Sequence, residues 1–348
     1  MRDWRLPEHR REAFQRFYSF HLKYRTHPGC VYFLLPHLAQ QMYGGHPTAQ
    51  QLAWIVWLNG NTQNPVTTQL ILEPAPNPED YWDAIEFVDE NFTRLEWDTD
   101  RRHQKSKFGV ATAQWAEAHG GGYAAAEGWL DAAADGWSGV WKYALSQPYM
   151  GRLSAWSMSE YAKILLPGMP DSSTLLLHDK TGSQSHRNGL ALIAGFDSVY
   201  WPPEAADLMG LVPRLEALGE SLLQEARERN PGHPDVGYLT LESALCTYKS
   251  WHKPNRRYPN VYADMHHNRI VRAEERFGDR FELQWEARAE ALPSHLRLEC
   301  NPNDPGLSPA KQNHYRETGE PIMLTEFGIP NTFETMVAEG HFGTRKGK

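Results

Sequence analysis

Residues 175–189, LLLHDKTGSQSHRNG, concentrate polar chemistry between two apolar segments at the middle of the chain. A leucine run leads into His-Asp-Lys at 178–180 and a Thr-Gly-Ser turn, and a second polar set at 185–188 opens an apolar helix predicted to end at Ala194. A buried polar group must be paired or it costs roughly 1 to 3 kcal/mol. A packed core would not carry so many of them, so the stretch indicates a functional site in a helical fold.

A plainer interpretation of this stretch is a capped helix start beside a solvated turn. Capping requires one hydroxyl or carboxylate, whereas the two polar sets at 178–180 and 185–188 alone supply seven groups that donate, accept or titrate within eleven residues. This density favours a binding or catalytic role, with the capped turn as the alternative.

The chain has 348 residues, and 41% of them are apolar, which is enough to bury a large core. A formal net charge of −8 argues against binding nucleic acid by overall charge, so a polyanion must be bound at a local patch. Cys30, Cys246 and Cys300 form no CxxC pair, which fits a reducing compartment and disfavours a zinc or disulfide framework. With no apolar run of eighteen residues and no basic, hydrophobic leader, we expect a soluble, cytoplasmic protein.

Helical periodicity dominates the rest of the chain. Thr48 and Asn77 predict two capped helix starts, and no segment shows the alternation typical of a strand. We therefore predict an all-α protein of about a dozen helices. Residues 1–300 are expected to form the helical catalytic domain, with room for two lobes and a cleft near 150–190, and residues 301–348 a C-terminal extension that wraps the surface.

The loop NGNTQNP carries four side-chain amides. Turn chemistry explains Asn59-Gly60 and Asn64-Pro65, whereas Gln63 has no turn role. Gln63 is therefore a candidate for ligand contact.

Two polar segments outside the central stretch carry clustered cations. Residues 98–107, DTDRRHQKSK, hold four, and residues 251–260, WHKPNRRYPN, mix cations with aromatic rings that suit phosphates and stacked bases. A solvated surface loop explains either segment equally well. A helix predicted over 239–250 places Glu242 and Lys249 on one stripe.

The central stretch surrounds one helix start, whose N–H groups and partial positive charge bind anions. A carboxylate beside an anion site suits a reaction in which Asp179 removes a proton from a nucleophile while a negative leaving group is stabilised. Metal ligation has weaker support because no tightly spaced ligand motif occurs. A magnesium ion held mainly by a ligand's phosphates would leave little trace in sequence.

The segment MGRLSAWSMSEY, with Asp179 about thirty residues beyond its start, resembles the layout of helix-hairpin-helix DNA glycosylases. In that family a hairpin grips the DNA backbone and an aspartate beyond it acts on a flipped nucleotide. The resemblance implies a helical, glycosylase-like architecture with backbone contacts from Gly151 and Arg152.

More of the chain resembles the phage amino acid:DNA transferases, also called the alpha-glutamyl/putrescinyl thymine pyrophosphorylase family. Six segments between about residue 20 and residue 265 carry this resemblance, and they are specific only together. They are FHLKYRTHPGCVYFLLPHL, LNGNTQNPVT, WDTDRRHQKSKF, MGRLSAWSMSEY, HDKTGSQSHRNG and LESALCTYKSWHKPNRRYPNVYADM.

This resemblance implies a step of thymine hypermodification in a phage-infected bacterial cell. A separate kinase pyrophosphorylates 5-hydroxymethyluracil in double-stranded DNA, and the family member flips the base and replaces the pyrophosphate with an amino acid such as glycine or serine. The implied partners are the modified DNA, a free amino acid and, functionally, the kinase, with no membrane. No resident cofactor is implied, although Mg²⁺ can accompany the pyrophosphate.

Asp179 is the expected general base, with His186 and Lys180 as further catalytic candidates. Cations would hold pyrophosphate or the amino acid's carboxylate, and side-chain amides would read the base edge or fill the gap it leaves. The substrate-binding candidates are Arg187, Asn188, Ser183, Ser185, Arg101, Arg102, Lys105, Gln63, Asn64, Glu242, Lys249, Arg256 and Arg257.

Two other functions fit these residues. A base-excision glycosylase would use Lys180 beside Asp179 as a Schiff-base nucleophile and would leave abasic sites or strand breaks. A non-catalytic DNA-binding or packaging protein would bind DNA regardless of its modification, and the acidic net charge counts against it.

Overall fold

The computed structural model describes residues 7–24, 34–97, 108–179, 185–196, 205–251, 261–292, 294 and 297–300. Across these residues the chain forms helices joined by turns, without a β-strand, which confirms the predicted all-α class. The α-helices within them are α1 (Pro7–Tyr24), α2 (Leu35–Met42), α3 (Ala49–Thr62), α4 (Pro65–Leu72), α5 (Tyr81–Glu90), α6 (Phe108–His119), α7 (Gly122–Ala134), α8 (Gly136–Ser146), α9 (Arg152–Leu165), α10 (Ser185–Ile193), α11 (Ala205–Arg229), α12 (Tyr238–Trp251), α13 (Val261–Phe277) and α14 (Glu282–Ala291).

The chain divides into two compact units. Unit 1 comprises Met1–Cys30, Thr174–His267 and Leu292–Lys348, and unit 2 comprises Val31–Ser173 and Asn268–Ala291. Helices α1, α10, α11 and α12 therefore belong to unit 1, helices α2 to α9 and α14 belong to unit 2, and the chain passes from one unit to the other within α13.

Aromatic packing between α1 and α12 builds the core of unit 1. Phe14 and Phe17 lie edge-on to Tyr248, with ring centroids 5.3 and 5.6 Å apart, and all three are fully buried. Tyr18 extends this face toward the start of α12, where its hydroxyl lies 2.6 Å from Oγ1 of Thr240. Helix α10 packs against α1, α11 and α12, so its side chains face the interior of this unit.

Helix α3 lies at the centre of unit 2 and is buried from Ala53 to its end. Trp54 and Trp57 stack with ring centroids 5.2 Å apart, and the Trp57 indole donates to Oε1 of Gln147 at 3.0 Å. Helix α9 packs closely on α3, since a Cβ at Gly60 would lie only 2.4 Å from the side chain of Met158.

Both predicted helix starts are confirmed. Thr48 Oγ1 accepts from Gln51 N at 3.2 Å, and Gln51 Oε1 accepts from Thr48 N at 2.9 Å, which completes a capping box. Asn77 precedes a 3₁₀ turn at Pro78–Asp80 that leads into α5, and its backbone N–H donates to Asp80 at 2.9 Å. Such caps involve only near neighbours in sequence, so the sequence is sufficient to locate them.

The amide-rich loop is shorter than predicted, and part of its interpretation is wrong. Helix α3 continues through Asn59-Gly60 to Thr62. The lack of a side chain at Gly60 makes room for Met158 of a neighbouring helix and does not form a turn. Gln63 does have a turn role: it takes a left-handed φ of 49° at the end of α3. Asn64 then caps α4, where its Oδ1 accepts from the N–H groups of the second and third helical residues.

Glu96 joins the segment after α5 to α13 within unit 2. Its carboxylate accepts from Arg272 at 2.7 and 2.8 Å and pairs with Arg276 at 2.9 Å. Burial alone would raise the pKa of Glu96, but the two guanidiniums hold that pKa below its ordinary value of 4.5.

We expect Glu96→Gln to destabilise the fold at pH 7 by about 1 kcal/mol, the upper range for a part-exposed pair. A carboxylate with a depressed pKa in the folded state contributes stability above its unfolded pKa, and this contribution is lost as pH falls through the folded pKa. Thermal unfolding at a series of pH values should therefore show the wild-type advantage disappearing below pH 4.5.

Glu73→Gln is the matched control, because Glu73 pairs with Arg280 at 3.0 Å on an exposed surface. Its effect should be smaller at every pH. A loss in Glu96→Gln that does not depend on pH would contradict the electrostatic assignment.

Candidate active site at the start of α10

Helix α10 carries the second polar set of the central stretch into the interior of unit 1. Every residue from His186 to Ile193 is buried, and the side chains of His186 and Arg187 are each 2% exposed. A solvated turn is therefore excluded for residues 186–188, whereas Ser185 is half-buried. This burial requires charged and polar partners from neighbouring segments.

His186 meets Glu242 of α12. Nδ1 of His186 lies 3.1 Å from Oε1 of Glu242, and the two side chains are 2% and 4% exposed. The two atoms are within ion-pair distance. Two titratable groups buried together in this way are costly for stability, which makes the pair a candidate for function.

Lys249 approaches the same helix from the other end of α12. Its ammonium donates to Oγ of Ser185 at 2.7 Å, and the residue is 8% exposed. The first turn of α10 is thus contacted by both Glu242 and Lys249. The sequence predicts these two residues on one stripe of α12.

Arg187 holds the segment that carries Asp179. Nη1 of Arg187 donates to the carbonyl oxygen of Leu177 at 2.9 Å, and Leu176 next to it has a left-handed φ of 51°, uncommon for a residue other than glycine. The backbone N–H of Asp179 closes this turn by donating to the Leu176 carbonyl at 3.1 Å. Arg187 therefore positions the turn on which the half-buried Asp179 lies.

His178, in the first half of the central stretch, faces outward, whereas Leu175 and Leu177 before it are buried. His178 is 56% exposed at its side chain and pairs with Glu216 of α11 at 3.3 Å. Of its two imidazoles, only that of His186 is buried with the cluster.

Gly189 allows α10 to approach α12 closely enough for these contacts. A Cβ at this position would lie 2.4 Å from the carbonyl oxygen of Leu245, a backbone atom that cannot move aside without moving α12. Helix α10 is also held at its far end, where Nη1 of Arg10 donates to the carbonyls of Leu192 and Phe196, both at 3.0 Å.

Comparison with known proteins identifies the family. The family model for amino acid:DNA transferases matches residues 15–258, about seven tenths of the chain. The chain belongs to the amino acid:DNA transferase family. A serinyltransferase of Salmonella phage ViI is 25% identical over 298 aligned positions that cover 78% of this chain and 71% of the relative. No solved structure matches.

The match to the amino acid:DNA transferases confirms the resemblance predicted from sequence and identifies the chain as a transferase enzyme. It includes the whole α10–α12 region, and with it Ser185, His186, Arg187, Glu242 and Lys249. None of the helices in the described part of this transferase is long and apolar enough to cross a membrane.

Other predicted site residues lie in unit 2 and have structural contacts. Gln63 and Asn64 are each 1% exposed, and Nδ2 of Asn64 donates to the carbonyl of Glu96 at 3.3 Å. Arg152, the first residue of α9, is 4% exposed with its guanidinium 5.4 Å from the centre of the Trp156 ring, while Gly151 before it is exposed. Their contacts with DNA remain predictions.

Several predicted residues lie outside the described part of the chain, so the structure places none of them. They are Lys180, Ser183, Arg101, Arg102, Lys105, Arg256 and Arg257.

Two buried ionisable residues of α13 received no role from the sequence. Asp264 and His266 lie in its first two turns, within unit 1, and both are fully buried. Their signal in the sequence is faint, because an acid in the first turn of a helix is ordinarily explained by the helix dipole.

We expect Gly189→Ala to destabilise the transferase by about 1 to 3 kcal/mol, since the added methyl group must push α10 away from the backbone of α12. Gly210→Ala on α11 is the matched control, because open space surrounds that glycine. Alanine there should be neutral or slightly stabilising. Chemical denaturation of both variants measures the difference, and equal stabilities would contradict the close approach at Gly189.

Proposed function

We propose that this chain replaces the pyrophosphate of 5-(pyrophosphoryloxymethyl)uracil in double-stranded DNA with an amino acid, glycine or serine. Membership of the amino acid:DNA transferase family carries the proposal, and the serinyltransferase name of the phage relative supports a small amino acid. The buried polar cluster at the start of α10 supports it chemically, because fixed charges act most strongly on a reaction where water is excluded.

The proposed reaction exchanges one bond at the methylene carbon on the uracil ring. A lone pair of the amino acid's amine or hydroxyl forms the new bond to carbon, and the carbon–oxygen bond breaks with its electrons leaving on pyrophosphate. The nucleophile loses one proton to a base, and the leaving group needs a cation or a proton donor. An enzyme for this reaction therefore needs a base, for which a carboxylate is suited, and a cation or proton donor beside the leaving group.

His186 is the proposed proton donor or anion ligand for the pyrophosphate, and Glu242 is its positioning partner. A carboxylate 3.1 Å from Nδ1 stabilises a proton on the imidazole ring. Lys249 adds a second buried positive charge at the same helix start. With Lys180 and Arg187, this set supplies the charge that the leaving group or the amino acid's carboxylate requires.

Asp179 is the proposed general base. It is half-buried on a turn held by Arg187, so its carboxylate has a defined position and retains access to solvent. Asp264 is the second candidate, because it is a fully buried carboxylate of the same unit and buried acids cluster at functional sites.

The DNA is proposed to bind as in helix-hairpin-helix glycosylases, with the target base flipped out of the duplex. The turn at 147–151 between α8 and α9, two helices that pack together, supports a backbone-binding hairpin at Gly151 and Arg152. Gln63 and Asn64 are proposed to read or replace the flipped base, and the cations at 101–105 and 256–257 to bind phosphate.

The proposed substrate requires a separate enzyme that phosphorylates hydroxymethyluracil in DNA, and we place both activities in the cytoplasm of an infected bacterium. Mg²⁺ is proposed to arrive bound to the pyrophosphate rather than at a protein site. Among the described residues, no group of three or more His, Cys, Asp or Glu is arranged to hold a metal ion.

Incubating the full chain with pyrophosphorylated hydroxymethyluracil DNA and glycine or serine should yield a nucleoside that carries the amino acid, measured by mass spectrometry after enzymatic digestion. Hydroxymethyluracil DNA without pyrophosphate is the matched control and should remain unchanged. Abasic sites or strand breaks without amino acid incorporation would instead identify a glycosylase. Repeating the reaction with a chelator tests the proposed Mg²⁺.

Asp179→Asn should bind the modified DNA normally and lose at least about a hundredfold in turnover, because the amide cannot accept the proton. The isosteric Asp264→Asn is the parallel variant. Turnover retained in Asp179→Asn and lost in a folded Asp264→Asn would transfer the role to Asp264. Full turnover in both variants would remove these carboxylates from the proton transfer.

A further inference from the structure

A cavity of about 760 Å³ lies in unit 1 between α1, from Glu12 to Lys23, the end of α11 and the turn that follows it. Glu12, Arg16 and Lys23 line it from one face of α1, and Arg229 and His233 from the other side. These are not the residues of the α10–α12 cluster, and the catalytic proposal uses none of them.

The charges on the cavity wall are predominantly positive. Three permanent cations, Arg16, Lys23 and Arg229, face a single carboxylate, Glu12, in a chain whose net charge is −8. Nε of Arg16 donates to Glu12 at 2.7 Å, and both terminal nitrogens of Arg229 bond to the same carboxylate. The bond from Arg229 lowers the pKa of Glu12, so the carboxylate stays ionised and holds the guanidiniums side by side.

The wall is rigid. Nδ2 of Asn230 donates both to Oγ of Ser19 on α1, at 3.1 Å, and to the carbonyl of Ala226 on α11, at 2.8 Å. His233 closes the turn, since its backbone N–H donates to the Asn230 carbonyl at 3.1 Å. The cations are therefore mounted on a preformed surface and do not need a ligand to assemble it.

The cavity is open, which distinguishes its ligand from a small metabolite. Lys23, Arg229 and Gly232 are exposed, and nothing lies within 4 Å of the Cβ position of Gly232. A small amino acid would occupy little of this space and remain hydrated, whereas pockets for small molecules enclose most of their ligand. A run of phosphates on an extended strand fits better, because each cation can pair with an exposed phosphate as the strand passes.

We propose that this cavity binds the sugar–phosphate backbone of duplex DNA, outside the site of amino acid transfer. The proposal rests on the proposed function only in taking DNA as the substrate. Phosphate contacts orient a duplex without reading its sequence. An acidic protein that must act on DNA requires such a local cationic surface, since its overall field repels the duplex.

The test compares two charge-matched double variants in binding to unmodified duplex DNA, measured by fluorescence anisotropy over a range of salt concentrations. Lys23→Gln/Arg229→Gln removes two cations from the cavity, and Lys142→Gln/Arg214→Gln removes two exposed cations elsewhere. The cavity variant should bind more weakly, with the slope of log K against log salt reduced by about 0.9 for each lost phosphate contact. The control variant should retain the wild-type slope.

Steady-state transfer gives a second readout. The cavity variant should have a raised KM for modified DNA and an unchanged kcat, and inhibition by added pyrophosphate should match the wild type. Thermal unfolding of each variant verifies that it is folded.

Equal slopes for all three proteins would overturn the proposal. A cavity variant with altered pyrophosphate inhibition and a wild-type DNA slope would also overturn it, because the cavity would then bind a small anion. Either result, with wild-type transfer intact, leaves the proposed function standing. Failure of the wild-type protein to transfer an amino acid would count against the proposed function and would not affect the binding comparison.

Discussion

The contact between α10 and α12 at Gly189 is the constraint on which the candidate active site depends. A backbone carbonyl of α12 occupies the space that any side chain at this position would need. Because the two helices meet at this separation, short polar contacts form along the same interface, from Glu242 to His186 and from Lys249 to Ser185. A wider separation would leave these buried groups without their partners, at a cost in free energy for each.

The polar interface between α10 and α12 stabilises the fold no more than an apolar interface commonly would. Apolar side chains of similar volume would commonly stabilise such an interface as well or better, since burying a charge pair costs several kcal/mol before its attraction is counted. The surrounding structure compensates through the aromatic packing of α1 on α12 and through Arg10, which donates to the carbonyl of Leu192 in the last turn of α10 and to that of Phe196 beyond it. A helix fixed at both ends can hold charged groups in a defined geometry, as transition-state stabilisation requires.

The distribution of charge reconciles an acidic chain with a DNA substrate. The net charge of −8 is an average over the sequence. Individual surfaces differ, and the cavity at the end of α1 collects three cations around one carboxylate. The interior cations have a different environment, because Arg187 and Lys249 are almost fully buried and act at short range. The negative net charge therefore excludes attraction of DNA by the electrostatic field of the whole protein. It does not exclude DNA binding at a local cationic surface.

Local signals in the sequence were sufficient for much of the fold. The capping box at Thr48 and the cap at Asn77 depend on neighbours within three residues, so their geometry follows from the sequence alone. Helix α4 was not predicted, because all eight of its residues are buried and it has no amphipathic pattern. The prediction of a turn at Asn59-Gly60 was wrong. Glycine is needed at position 60 because the side chain of Met158, on another helix, occupies the space that a Cβ would take.

The sequence by itself determined the all-helical class, the family and the polar stretch from which the site is built. Helix periodicity, helix caps and motif segments each depend on residues that are close together in the chain, so they can be recognised without the tertiary structure. Only the tertiary structure decided that His186 meets Glu242, that Lys249 reaches Ser185 across 64 positions, and that Arg187 holds the turn of Asp179. These contacts depend on which helix faces which and at what distance, and helix packing is set by the volume of side chains far apart in sequence.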